Sequence, residues 1–411
     1  MTALPTALLG LPRAGEGVLA QLRTRVRALA TRRMVTSTGP GLSAGLGRVQ
    51  WSLARLSKTR PDALLAAVGS IDVLAPMLAV ESGARPAADC FRAAMPHLLV
   101  ALVDELQEPV RWSEPYAVVV DRRRGEAYRF DPPAVALDAR PGIVVAELGS
   151  GERFELHGAS ANAAGAQRER VLHLLREDLP SICLSEVDTN PLALDEAHPD
   201  KSGNALDLGG RAASEWARAL GEALELVKLA LPDWYAELPL ALERLVPVGC
   251  DDEKHLSASY REAPGLVYLT LHPDPLTMAE AIVHEVQHGK LNLLTWVDPV
   301  LDNAYTTWTE SPVRPDLRPV MGVLLAVHAF VPVAALHREL ARLAHPIAET
   351  ARFARRRAEV LAGNARGLAI VREKGAPTAS GRRMIDDLGR LHDVLAAEVA
   401  TATPGADTLP G

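Results

Sequence analysis

An α+β fold, predominantly helical, is predicted by three observations. Ala and Leu are abundant while aromatic residues make up only 4% of the 411-residue chain, a composition that favours helix. Long stretches repeat apolar residues at threes and fours. Between them lies one region of short β-rich runs broken by Gly and Pro. The expected architecture is a helical N-terminal region (1–110), a small β-rich region with an acidic loop (111–205), a metal-binding catalytic domain (206–401) and a flexible tail (402–411). In the third, a metal-site helix is expected beside a small antiparallel sheet, followed by further C-terminal helices.

Residues 16–33 read as an amphipathic helix with a basic, solvated face, and a Gly/Ser-rich break at 37–45 separates it from three or four Ala/Leu-rich helices reaching residue 106. Runs at 116–120, 126–130, 143–146 and 153–156 are strands, divided by Arg-Gly, Pro-Gly and Ser-Gly breaks. Residues 167–178 return to a helical pattern, and 186–204 form an acidic, proline-containing loop without the register of a calcium site. A helix over 212–229 precedes three strands at 245–248, 255–260 and 265–271.

The chain is organised around the next stretch, Asp274 to Trp296, whose centre is His284-Glu285-Val286-Gln287-His288. Asp274 suits the N-cap and Pro275 the first helical position, where its missing N–H costs nothing. Leu276, Ala279, Ile282, Val283, Val286, Leu291 and Leu294 mark one buried face. His284 and His288 are one turn apart, so both imidazoles point to one side and can share a divalent metal. Glu285 falls beside that metal, where such a residue handles the protons of a metal-bound water in hydrolytic enzymes.

Two histidines need a third ligand. The pattern of Gly three and His six residues after the second His is absent, since Leu291 and Leu294 stand there, so a metzincin protease is disfavoured. His328, inside a charge-free helix, is the leading candidate; Glu310, Asp298 and Asp302 remain as carboxylate ligands, which would give the two-His, one-carboxylate face of non-haem Fe(II) oxygenases. Arg314 and Arg318 lie in a proline-rich loop at 311–319 that holds the backbone extended. They are candidates to fork a carboxylate, with an Arg318 to Asp316 loop salt bridge as the alternative. Ser257, Ser259 and Tyr260 on a strand edge, and Trp308 in the polar, aromatic loop after the motif helix, are candidate substrate contacts.

Residues 269–294, the loop Trp308 to Pro319 with its Arg-Pro-Asp-Leu-Arg-Pro run, and the apolar helix carrying His328 together resemble the HExxH-motif proteins of bacterial peptide natural-product clusters. Those are described as iron(II) and 2-oxoglutarate-dependent peptide β-hydroxylases. The resemblance covers roughly residues 245–340. It implies Fe(II) on His284, His288 and a third ligand, 2-oxoglutarate on the metal with its distal carboxylate on an arginine, and a ribosomally made precursor peptide as substrate. In such chemistry Glu285 orients or lines the site. The alternative enzyme is a zinc metallopeptidase with Glu285 as general base and Glu310 or His328 as third ligand. A peptide-binding maturation partner with a degenerate metal site is the non-enzymatic reading.

A net charge of −7 gives no general attraction to nucleic acid or anionic lipid. Cys90, Cys183 and Cys250 form no CxxC and suit free thiols in a reducing cytoplasm. The N-terminal apolar stretch precedes the first positive charge, the reverse of a signal peptide, so export is not expected. The uncharged run 319–336 contains Pro332 and His328 and reads as a buried helix rather than a membrane span.

Overall fold

The computed structural model of the chain describes residues 7–12, 17–38, 46–156, 162–163, 165–195, 197–198, 201–311 and 316–402. Residues 39–45 of the expected break at 37–45, residues 403–411 of the expected tail at 402–411, and Arg314 lie outside them. The fold is α+β and mostly helical. Five helices open it, Val18–Thr36, Leu46–Thr59, Pro61–Val68, Ile71–Glu81 and Ala87–Ala101, with Leu19, Leu22, Val26, Ala30 and Met34 forming the buried stripe of the first. Spacings of three and four place these side chains on one face, which is why local sequence alone marks them.

Two four-stranded antiparallel sheets follow. One runs Val110–Trp112, Ala136–Arg140, Ile143–Glu147, Arg153–Leu156; the other runs Tyr116–Asp121, Glu126–Ala134, Ala166–Arg170, Asn162–Ala163. The helix expected over 167–178 is not formed. Residues 166–170 pair antiparallel with Glu126 to Phe130, and Leu172–Leu174 pairs with Cys183–Ser185. Arg168 donates to both oxygens of Glu126 at 3.0 Å, so this run of charged residues finds partners across strands instead of along a helix. Tertiary pairing outweighs a helical propensity worth only tenths of a kcal/mol per residue, roughly.

A five-stranded sheet carries the motif helix. Its order is Ser257–Ser259, Leu266–Leu271, Arg244–Cys250, Cys183–Ser185, Leu172–Leu174. The strand nearest the helix is antiparallel, as expected, but the sheet is mixed, because its three central strands are parallel. Parallel strands are buried on both faces and read as continuous apolar runs such as Leu266-Val267-Tyr268-Leu269. The motif helix, Pro275–Thr295, packs on the helices Ala213–Ala230 and Val320–Arg342. Two more, Ala351–Lys374 and Ala379–Ala402, complete the chain as expected.

The main apolar core runs from Ala7 to Leu395, with two smaller ones beside it, around Val246 and Tyr268 and around Val120 and Leu172. Val320–Arg342 is long and apolar enough to cross a membrane, but most of it is buried inside the protein. The kinked pair Pro61–Val68 and Ile71–Glu81 passes the same test only if counted as one span.

Candidate metal centre

The motif helix begins as its sequence dictates. Asp274 accepts a hydrogen bond from the Leu276 N–H at 3.0 Å, and Pro275 occupies the first position. Three turns in, the His284 and His288 rings stand edge to face with centroids 4.3 Å apart. Candidate ligand atoms of His284, Glu285 and His288 all lie within 4.8 Å of one another, and His284 Nε2 is 3.9 Å from Glu285 Oε1. Among the described residues this is the cluster of His, Cys, Asp and Glu fit to hold a metal ion.

Both histidines are held neutral. Burial pushes His284 well below its ordinary value, helped by the neighbouring charges of His288 and Arg356. Burial also lowers His288, against the opposing pull of Glu285. The Nδ1 atoms of both rings are buried without a hydrogen-bond partner. Nε2 is therefore the nitrogen left on each ring to meet a ligand, and a neutral imidazole is the form that binds a metal.

Glu285 is fixed from the sheet. Ser257 Oγ donates to Oε1 and Ser259 Oγ to Oε2, each at 2.7 Å. Alternate residues of a strand share a face, so two serines spaced by two reach one carboxylate. The expectation of substrate contacts at Ser257 and Ser259 thus takes another form: they hold the carboxylate of the motif. Tyr260, next along, points elsewhere, donating to the Ala193 carbonyl at 3.0 Å and accepting from Asn204 at 2.6 Å. It anchors the acidic loop and does not face the metal cluster.

His328 is not part of the cluster. Its helix presents Phe330 to His284, with ring centroids 4.6 Å apart. His328 itself is fully buried on the flank of the motif helix, where Gln287 donates to its carbonyl at 3.4 Å; its ring nitrogens make no hydrogen bond of good geometry, but the backbone of Gln287 and of Leu8 lies close enough to favour the protonated ring. Burial, and then the charges of Lys290 and His288, push its imidazole down to about 3. Asp298 is occupied in capping, accepting from Val300 N at 2.7 Å and Thr378 Oγ1 at 2.8 Å. Asp302 and Glu310 are exposed and also outside the cluster.

Arg318 lies 3.5 Å from Asp316, the loop salt bridge weighed as the alternative, yet its charge also acts on His288. Trp308–Thr309 pairs antiparallel with Arg318–Pro319, and Trp308 is 60% exposed, with Tyr305 and Leu317 exposed on the same connection. Aromatic surface therefore borders the segment that carries Arg318.

Two features beside the cluster are not marked by any local sequence pattern of metal ligands. Glu280, one turn before His284, is buried and bonds His337 Nε2 at 2.7 Å and Arg356 Nε at 2.8 Å. Burial pushes its carboxyl up, but the His337 and Arg356 bonds outweigh this and hold it below the usual range. His255 has a buried Nε2 without a hydrogen-bond partner, and its charge acts on His284. The period-two spacing His255, Ser257, Ser259 was the available signal for it. No protein-family model matches this chain, and no curated protein matches it significantly.

Proposed function

We propose that the protein is an Fe(II)- and 2-oxoglutarate-dependent hydroxylase that places a β-hydroxyl on residues of a ribosomally made precursor peptide, working in the cytoplasm. The observation that carries the metal part of this reading is the cluster of two neutral imidazoles and a carboxylate within 4.8 Å. Two neutral imidazoles on one helix face suit Fe(II), and they suit Zn(II) as well, with a third ligand to complete either centre. The hydroxylase choice rests on the resemblance of residues 245–340 and on the cation at Arg318 near His288.

Bound iron with 2-oxoglutarate would supply oxygen activation. His284 and His288 would hold the metal through Nε2. Glu285, clamped by Ser257 and Ser259, would fix the geometry around the ligands through its fixed charge. Arg318, and Arg314 beside it in sequence, would receive the distal carboxylate of the cosubstrate, with Asp316 giving up its ion pair. Trp308 and its aromatic neighbours would meet the peptide.

A zinc metallopeptidase is the second reading, favoured by the Glu285 carboxylate standing 3.9 Å from His284 Nε2, where it would act as base. Consumption of 2-oxoglutarate separates the two. Fe(II)-dependent turnover that disappears in His284→Ala and His288→Ala supports the hydroxylase. Peptide cleavage by the Zn(II) form, lost in Glu285→Gln, with no 2-oxoglutarate consumed, supports the peptidase.

A further inference from the structure

Away from the metal cluster, four arginines gather around two carboxylates where the first helix, the start of Ile71–Glu81 and the start of Arg244–Cys250 meet. Arg244 and Asp72 form a fully buried, two-bond ion pair; Asp72 also accepts from Thr189 Oγ1 at 2.7 Å and Ser70 Oγ at 3.3 Å, and Arg244 Nε lies 3.7 Å from Glu243. The other carboxylate, Glu243, is buried; it accepts from Ile71 N at 3.3 Å and lies 3.2 Å from Arg122. Arg23 donates to the Pro239 carbonyl at 2.8 Å and makes no ion pair among the described residues. Arg27 makes no side-chain hydrogen bond or ion pair among the described residues, and its Nε is buried. Arg244 is paired with Asp72 and Arg122 with Glu243, which leaves the guanidinium groups of Arg23 and Arg27, both half-buried, without an ion pair among the described residues.

The fold makes room for this charge. A Cβ on Gly69 would stand 2.2 Å from Arg27 Nε, so a side chain there would displace the guanidinium. The backbone at Gly69 is not in the left-handed region, so close approach is what asks for glycine. Burial and the charges of neighbouring arginines both act against Arg23 and Arg27, and Glu243 is the carboxylate that acts in their favour. Like charges held together at a desolvation cost mark a place prepared for a counter-ion.

We propose that Arg23, Arg27 and Arg122 form a second binding site, distinct from the metal cluster, for a doubly charged oxyanion of the phosphate monoester class. Guanidinium forks match phosphate oxygens, and a dianion matches the two guanidinium charges, Arg23 and Arg27, that no carboxylate pairs among the described residues.

The test is titration of the metal-free full chain with inorganic phosphate, read by calorimetry and by thermal shift, against acetate and chloride at equal ionic strength. The expected result is saturable phosphate binding that acetate does not reproduce, weakened about 10- to 100-fold in Arg27→Gln by loss of a charge-assisted contact. Arg122→Gln serves the same purpose if Arg27→Gln does not fold. Absence of saturable phosphate binding by the unaltered chain would overturn the proposal, as would equal affinity in a folded variant. Equal response to acetate would overturn the dianion assignment.

Discussion

Removing the two serine hydroxyls that hold Glu285 is the sharpest probe of how this centre is built. Glu285 is 3% exposed, and both its oxygens receive a hydroxyl at 2.7 Å. A hydrogen bond to a charged group contributes about 1.5–3 kcal/mol, so Ser257→Ala with Ser259→Ala is expected to cost about 3–6 kcal/mol of stability in the metal-free chain. Metal affinity should fall too, by about 10- to 100-fold, as when other outer supports of a metal site are removed. The assay is urea unfolding with and without metal, run as a cycle with Glu285→Gln. In the Gln background the serine changes should cost much less, because no buried charge is left to support. A double variant that loses less than about 0.5 kcal/mol, or an equal loss in the Gln background, would refute the claim that the serines act through Glu285.

Other perturbations follow from the same geometry. His328→Leu is expected to retain metal and to change stability at neutral pH by less than about 1.5 kcal/mol, since it replaces a buried imidazole with only poorly aligned contacts to the Gln287 and Leu8 backbone by a side chain of similar size; equilibrium dialysis with Fe(II) checks the first point and urea unfolding the second. The folded pKa of His328, about 3, lies below its ordinary 6.5, so the unfolded chain binds the extra proton and stability falls as pH drops below 6.5. His328→Leu should therefore flatten the stability curve between those values by about 1.4 kcal/mol per pH unit, and an unchanged slope would contradict the burial argument. Glu280→Ala strands the buried His337 and loosens Arg356, and an unfolding loss of about 3–5 kcal/mol is expected, with no loss in a conservative surface change such as Glu359→Gln.

Much of this molecule is legible in its sequence because it is built from local signals. The Asp274-Pro275 start, the one-turn separation of His284 and His288, and the apolar period of the motif helix all lie within a few residues of one another. What escaped needed contacts across the chain. The 167–178 segment has helix-forming residues, yet strands more than 30 residues away in sequence claim its first half. His328 looked like a ligand because a buried imidazole demands a reason. Sequence spacing carried no information on which flank of the motif helix its own helix would meet, and Phe330 faces His284 instead. Ser257 and Ser259 were expected to meet substrate, but the partner their hydroxyls find is Glu285, 26 to 28 residues downstream. Glu280 was visible only as an acid in the first turns, since the residues that neutralise it come from two later helices.

The central claim is that His284 and His288 hold an iron that also takes 2-oxoglutarate. Anaerobic titration of the metal-free chain with Fe(II) and then 2-oxoglutarate tests it most directly, read by the weak visible charge-transfer band of the chelate. The band is expected in the unaltered protein, is expected to be lost in His284→Ala and His288→Ala, and is expected to persist in His328→Leu. No band, together with tight Zn(II) binding at the same histidines, would contradict that claim and assign the site to metal-assisted hydrolysis with Glu285 as base.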